Sequence, residues 1–364
     1  MEVCTMANYI LVINPGSTST KLAVYEDQKL LFSDTVRHRD ETLAGFSKIV
    51  DQLPLRLQAV LEFLETYCFE ANRLAAVAGR GGLLKPLKGG TYEVCEEMLY
   101  DARSSTFGEH ASNLGPILAF EIASKLGIPA FIVDPVTVDE LIPESRLSGF
   151  AGIERISQLH ALNIKAVSRK IARRLVQPPE ELNFVVAHLG AGFSVAAQRR
   201  GRIIDVNNAD NEGPFSPERS GTLPVKQLIK LCYSSKYSER EMVEHVTRKG
   251  GLFSYLGTKS ALDAEERAVA GDAHAELVLR AMIQQIAKEI GAMAAVLDGQ
   301  VDGIILTGGL AYSEYIVGNL RGKIEFLGEV FVVPGEEELE ALAEGALRVL
   351  NGEEAKREYN CLFV

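Results

Sequence analysis

The sequence has no CxxC pair, no HExxH signature, no GxxxxGK[ST] loop and no block of Lys and Arg. Each absence argues against a class. Without CxxC spacing, the five cysteines (Cys4, Cys68, Cys95, Cys232 and Cys361) read as free thiols of a reducing compartment rather than disulfides or a zinc site. Without HExxH or a Cys/His cluster, nothing suggests a transition metal held by protein ligands alone. The formal net charge is −11, from 49 acidic and 38 basic residues, and no basic run offsets it. Nucleic acid and anionic membrane are therefore not expected partners. No apolar run approaches the ~20 residues of a membrane span. The segment 10–13 is too short for a signal-peptide core and lacks a basic flank, so it reads as a first strand. The expectation is a soluble, cytoplasmic chain.

One pattern is present twice. Tyr9-Ile-Leu-Val-Ile-Asn14 is an apolar run that breaks into Pro15-Gly-Ser-Thr-Ser-Thr-Lys21 and resumes as Leu22-Ala-Val-Tyr25. Phe184-Val-Val-Ala-His188 breaks into Leu189-Gly-Ala-Gly-Phe-Ser194 and resumes as Val195-Ala-Ala197. A strand, a hairpin of small residues and a second strand can aim backbone N–H groups and hydroxyls at an anion. Two copies in 364 residues suggest two similar lobes facing each other across a phosphate-bearing ligand. The stretch 141–156, rich in Pro, Glu, Ser and Gly, is the candidate hinge. The expected division is 1–152, completed by the C-terminal helix 338–364, and 153–337, the lobe carrying the nucleotide site.

The polar residues worth naming cluster at strand ends, where ligands sit in α/β sheets. Arg80 closes the strand 73–78 between glycines, and Asp134 closes the strand 130–133. Arg219 lies in a Gly/Pro/Ser-rich stretch, where a planar guanidinium could grip carboxylate or phosphate. His110, His160 and His188 are three of only six histidines. The turn 14–21 equally suits a hairpin whose hydroxyls satisfy their own backbone. Thr307-Gly-Gly309 follows a strand and would let a nucleotide approach the backbone. The triplet Glu336-Glu-Glu338 offers a carboxylate for Mg²⁺ or the acidic first turn of a helix.

Taken together, the blocks 13–21, 79–83, 108–115, 133–135, 160–163, 188–190, 205–208, 213–221 and 307–309 resemble the acetate and butyrate kinase family. That family has the actin-like fold shared with sugar kinases and heat-shock ATPases, and the likeness is greatest to its butyrate kinase branch. The resemblance implies an α/β chain of two actin-like (ribonuclease H-like) lobes, with mixed sheets flanked by helices and a nucleotide cleft between them. It implies transfer of the γ-phosphoryl group of ATP to a short-chain fatty acid, giving an acyl phosphate and ADP with Mg²⁺ as the metal. Asn14, Ser17, Ser19 and Lys21 match its first phosphate loop. His188, Gly190, Gly192, Gly308 and Gly309 match its nucleotide-contacting turns. Arg80, Arg219, His160 and Asp134 match its catalytic groups, and Gly82, His110 and Leu159 its acid pocket. Glu338, with Asn14 beside it, fits the metal position best, and Glu337 is the neighbouring register. Family members associate at least as dimers.

A short-chain carboxylate is ionised at pH 7, with a pKa near ~4 to 5, so no general base is required. The barrier is repulsion between two anions, which cations and positioning relieve. Acetate-preferring relatives carry a bulkier aliphatic residue near Gly82 and a phenylalanine at the position of Leu159. The smaller residues here are expected to admit extra methylenes, each worth ~0.8 kcal/mol when buried. One departure is that Ser260 and Leu262 stand where relatives carry an aspartate and an arginine, so a cation near the phosphates is missing unless Lys259 or another residue substitutes. This departure would lower ATP affinity or turnover and is the best support for a non-catalytic regulator. The alternatives are a sugar kinase of the same fold and a non-catalytic nucleotide-binding regulator. Asn14, where sugar kinases place an aspartate, argues against the first. Retention of Arg80, Arg219, His160 and Asp134 argues against the second.

Overall fold

In the computed structural model, which describes residues 7–359, the chain divides into two units. One runs up to Val138 and resumes from Glu337; the other is Asp139–Glu336. Among the described residues, no helix is long and apolar enough to cross a membrane. Cys4 and Cys361 lie outside the described residues.

The first unit is built on β1 (Tyr9–Pro15), β2 (Ser19–Glu26), β3 (Lys29–Arg37), β4 (Leu74–Arg80), β5 (Thr91–Glu93) and β6 (Ala130–Val133). Their order is β3-β2-β1-β4-β6-β5. Short turns make β1, β2 and β3 antiparallel, while helical crossovers make β4 and β6 parallel to β1. The second unit contains β7 (Asn183–Leu189), β8 (Phe193–Arg199), β9 (Arg202–Val206), β10 (Gly303–Gly308) and β11 (Val330–Pro334), in the order β11-β10-β7-β8-β9. Read from the antiparallel edge, both sheets share one scheme of third, second and first strand, then two parallel strands, to which the first sheet adds β5, antiparallel to β6, at its far edge. The repeated strand–turn–strand unit is thus the seed of two similar mixed sheets, each flanked by helices.

Alternation along the strands assigns each helix to a face. In β7, Val185, Ala187 and Leu189 join the apolar cluster of the helix Ala273–Val296, together with Ile304 and Leu306 of β10. Their neighbours His188 and Thr307 therefore face the other side, where both bond to Asn163 of the helix Ala161–Leu175. In the first unit, Ile13 and Gly79 are in register and share a face, on which Gly79 abuts Gly115 of the helix Leu114–Leu126. A Cβ on Gly115 would lie 2.0 Å from the Arg80 carbonyl oxygen, so glycine lets this helix seat against the end of β4. Asn14 and Arg80 occupy the opposite face, covered by the helix Glu338–Leu350.

The stretch 141–156, which composition marks as a hinge, belongs to the second unit. Arg155 anchors it, bonding Asp205 Oδ1 at 2.9 Å, the Val206 carbonyl at 2.9 Å and the Ser145 carbonyl at 2.8 Å. Composition reported loop character there but not this tertiary attachment.

Candidate active site

In the first unit the polar groups gather at the C-terminal end of β1 and β4. Asn14 is 4% exposed, and its Nδ2 donates to Glu338 Oε2 at 2.7 Å. Arg80 Nη1 donates to the other oxygen, Oε1. Glu338 thus joins a strand-end amide to a strand-end guanidinium, and each of its oxygens accepts one of these bonds. It sits in the first turn of its helix, where the macrodipole favours a carboxylate. Lys21 is the cross-strand partner of Asn14, so Lys21 and Ser19 share the face of Glu338. Asp134, 1% exposed, follows β6 and accepts the Gly90 amide at 2.7 Å. His110 caps the short turn 111–113, where its Nδ1 accepts the Ser112 amide; this places its ring proton on Nε2.

The loop 14–21 is held from behind. Gly16 N–H donates to the Ser19 carbonyl at 2.8 Å, and His38 N–H to the Thr18 carbonyl at 2.8 Å. Thr20 points to the face away from Glu338; its hydroxyl accepts from Arg56 Nη1 at 3.1 Å and lies 2.9 Å from His38 Nε2. The Thr20 hydroxyl thus links the buried guanidinium to the His38 ring. Burial first, and the Arg56 charge second, hold the His38 imidazole below its ordinary value of 6.5. The folded state therefore binds the His38 proton less readily than the unfolded chain. The resulting stability is present above about pH 6.5 and is lost as pH falls through the lower, folded value. Unfolding free energy measured between about pH 7 and pH 5 should fall less steeply in His38→Gln than in the parent chain. Equal slopes would exclude this contribution.

The second unit carries the remaining groups. His188 is fully buried; its Nδ1 donates to Asn163 Oδ1 at 2.8 Å, and Thr307 Oγ1 donates to the same oxygen at 3.2 Å. His188 Nε2 lies 3.3 Å from Glu336 Oε1 without hydrogen-bond alignment. The His160 ring stacks on that of His188, with centroids 3.9 Å apart and planes at 15°. Ser194 Oγ, 2.9 Å from His160 Nδ1, fixes the second ring. Gly190 leaves the space beside His188 Nε2 open, since a Cβ there would lie only 3.1 Å from it. Leu159, next to this pair, is buried.

Arg219 lies across Gly192. Its Nη1 bonds Asp210 Oδ1 at 2.8 Å and the Ala209 carbonyl at 3.1 Å, while its Nε is buried and has no acceptor among the described residues. A Cβ on Gly192 would come within 2.3 Å of Nη1, so the glycine of this turn is what admits the guanidinium. Ser216 Oγ, bonded to the Ala191 carbonyl at 2.5 Å and accepting the Arg219 amide at 3.2 Å, ties the arginine loop to that turn.

Three expectations change in detail. Gly82 does not open room for substrate: a Cβ there would meet Asn113, 2.3 Å from its Oδ1 and 2.6 Å from its backbone. The volume is already filled by Asn113, which also accepts the Leu83 amide at 2.8 Å. Gly308, at φ 87°, is needed because β7 crosses beside it: a Cβ would meet the Leu189 backbone at 2.5 Å. Gly309, in contrast, faces open space. Ser260 caps the helix Ala261–Val269 by accepting the Asp263 amide at 3.1 Å, and Leu262 is exposed. Lys259 pairs with Glu218 at 2.8 Å, one residue before Arg219.

Sequence reasoning missed Arg56 altogether. Its signal was present: Arg56, Ala59, Val60, Phe63 and Leu64 form the buried stripe of the helix Leu53–Thr66, so the arginine heads an apolar face.

The family model described as the acetokinase family matches residues 147–356, more than half of the chain. Three solved structures share the fold. The acetate kinase of Porphyromonas gingivalis is 19% identical with a TM-score of 0.77, over 94% of this chain and all of that one. The acetate kinase of Entamoeba histolytica is 16% identical with a TM-score of 0.74, over 93% and 98% of the two chains. A propionate kinase of Francisella tularensis subsp. tularensis is 17% identical with a TM-score of 0.73, over the same shares.

Proposed function

The chain belongs to the acetokinase family, and we propose that its acceptor is butyrate or a branched relative, phosphorylated directly by ATP to an acyl phosphate. Membership makes it an ATP-dependent carboxylate phosphotransferase; the acceptor's length and each residue's role are the proposed part. The observation that carries this reading is Asn14 bonded to Glu338, with Arg80 on the same carboxylate. The end of β1 presents a neutral amide next to a cation, which suits a nucleophile that arrives already ionised.

Arg80 and Arg219 are assigned to the charge that builds on the phosphoryl group in flight, where a forked, permanently charged donor is worth most. His160, oriented by Ser194, donates to the same group, and His188 and Asn163 keep it in place. Ser17, Ser19 and Lys21 bind phosphate oxygens, and Gly309, whose Cβ position is open, lets the nucleotide lie close to the backbone. Gly192 and Gly308 act indirectly by seating Arg219 and the end of β7, and Gly190 keeps His188 Nε2 open. Asp134 orders the strand end beside Arg80 through Gly90.

Mg²⁺ fits the donors present. Glu338 and the amide oxygen of Asn14 are hard oxygen ligands at one place, and Mg²⁺ commonly takes one or two carboxylates together with substrate phosphates and water. Among the described residues, no group of three His, Cys, Asp or Glu side chains gathers as a metal site. When bound, it would neutralise charge on the phosphates.

Support for a longer acid rests on Leu159, a buried residue smaller than the phenylalanine of acetate-preferring relatives, because Gly82 supplies no space. Acyl phosphate formation from ATP should be measured with straight and branched acids of two to six carbons. The expected kcat/KM rises about fourfold per methylene to a maximum at four or five carbons. An acetate optimum would overturn the acceptor. ATP binding with no acid-dependent ADP release would point instead to a non-catalytic regulator.

A further inference from the structure

Arg56 is fully buried, yet among the described residues none of its hydrogen-bond acceptors is a carboxylate. Nε and Nη2 donate to Gln52 Oε1 at 3.1 and 2.9 Å. Nη1 donates to the Ser19 carbonyl at 2.9 Å and to Thr20 Oγ1 at 3.1 Å. Nη2 also donates to the Ser17 carbonyl at 3.1 Å. These five bonds match the five N–H donors of a guanidinium, and every acceptor is neutral. Burial lowers the Arg56 pKa to about 10, so the group still carries its charge at pH 7. A buried charge without a counter-ion is costly and is ordinarily paired with an acid.

The geometry has a direct consequence for the loop. In a planar trans peptide the carbonyl and the following N–H point in opposite directions. Turning the Ser17 and Ser19 carbonyls toward Arg56 therefore turns the Thr18 and Thr20 N–H groups away from it. Alternation along β2 places Ser19 and Lys21 on the outward face and Thr20 on the Arg56 side.

We propose that Arg56 is a positioning residue of the loop 14–21, fixing its peptides and keeping an unneutralised positive charge on its inner side for a polyphosphate anion. This rests on the phosphate-binding reading of that loop given above. It accounts for the missing acid: a carboxylate at position 52 would satisfy the same N–H groups but cancel the charge.

The test is Gln52→Glu, which retains an acceptor for Nε and Nη2 while adding a negative charge against the guanidinium. Folding is followed by thermal denaturation, anion binding by calorimetry with inorganic tripolyphosphate, and turnover by separate KM values for ATP and acid. A purely structural Arg56 predicts an equal or higher Tm and unchanged affinities. The charge role predicts a retained Tm, a rise of about tenfold in tripolyphosphate Kd and ATP KM, and an acid KM within about twofold. Unchanged tripolyphosphate Kd and ATP KM in folded Gln52→Glu would overturn the inference while leaving the kinase activity intact. Weakened tripolyphosphate binding in a chain that phosphorylates no acid would support the inference and sink the acceptor reading. Should Gln52→Glu not fold, Gln52→Asp, a shorter acid against the same guanidinium, decides in the same way: weaker tripolyphosphate binding with an unmoved acid KM supports it, and parental binding overturns it.

Discussion

Arg219→Ala should lower kcat by about 10³-fold while leaving the fold intact, and Arg80→Ala should lower it as much while also costing stability. The shared loss follows from the chemistry. Two anions must approach each other, and each arginine is assigned to the charge that accumulates as they do. The different stability costs follow from burial. Arg219 pairs with Asp210 through side chains that are 24% and 35% exposed, and such partly solvated pairs are worth about 0–1 kcal/mol. Arg80 pairs with Glu338, whose side chain is 8% exposed. Removing the guanidinium leaves that carboxylate with Asn14 as its remaining named partner, a loss on the order of 3 kcal/mol. Arg80→Lys restores charge without the fork, so it should recover stability better than turnover. Steady-state kinetics beside denaturant titration separates the two effects. Near-parental kcat in folded Arg219→Ala would remove that residue from the mechanism.

Gly192→Ala should cost about 10²-fold in turnover with little change in Tm. The new methyl group would sit where Arg219 Nη1 now lies, 2.3 Å from the built Cβ, so the guanidinium must leave its position. That displacement is inexpensive for stability, because the tip of a long side chain moves and no backbone has to shift. It is expensive for catalysis, because a misplaced guanidinium no longer meets the developing charge. Gly115→Ala is the contrasting case: its Cβ would meet the Arg80 carbonyl at 2.0 Å, so backbone must part and Tm should fall. Parental activity in Gly192→Ala would show that the Arg219 position across the turn is irrelevant to turnover.

Much of the architecture was legible before any coordinates, for identifiable reasons. Buried parallel strands such as 130–133 are continuous apolar runs closed by Asp-Pro, and helices such as 338–350 carry a 3.6-residue stripe stopped by Asn-Gly. The doubled strand–turn–strand signal survives in sequence because close backbone approach demands small residues at fixed places. The candidate site residues were singled out on those turns for the same reason.

Local pattern determined the strands, the main helices, the two related halves and the residue types at their turns. Tertiary structure alone decided three other matters. It paired Glu338, rather than Glu337, with Asn14 and Arg80 across more than 250 positions of chain, and filled the space beside Gly82 with Asn113. It also sank Arg56 beneath the loop 14–21. Each depends on which face of an element meets which neighbour. Periodicity shows that a residue lies on a buried face, but the partner waiting there is set only when distant segments pack.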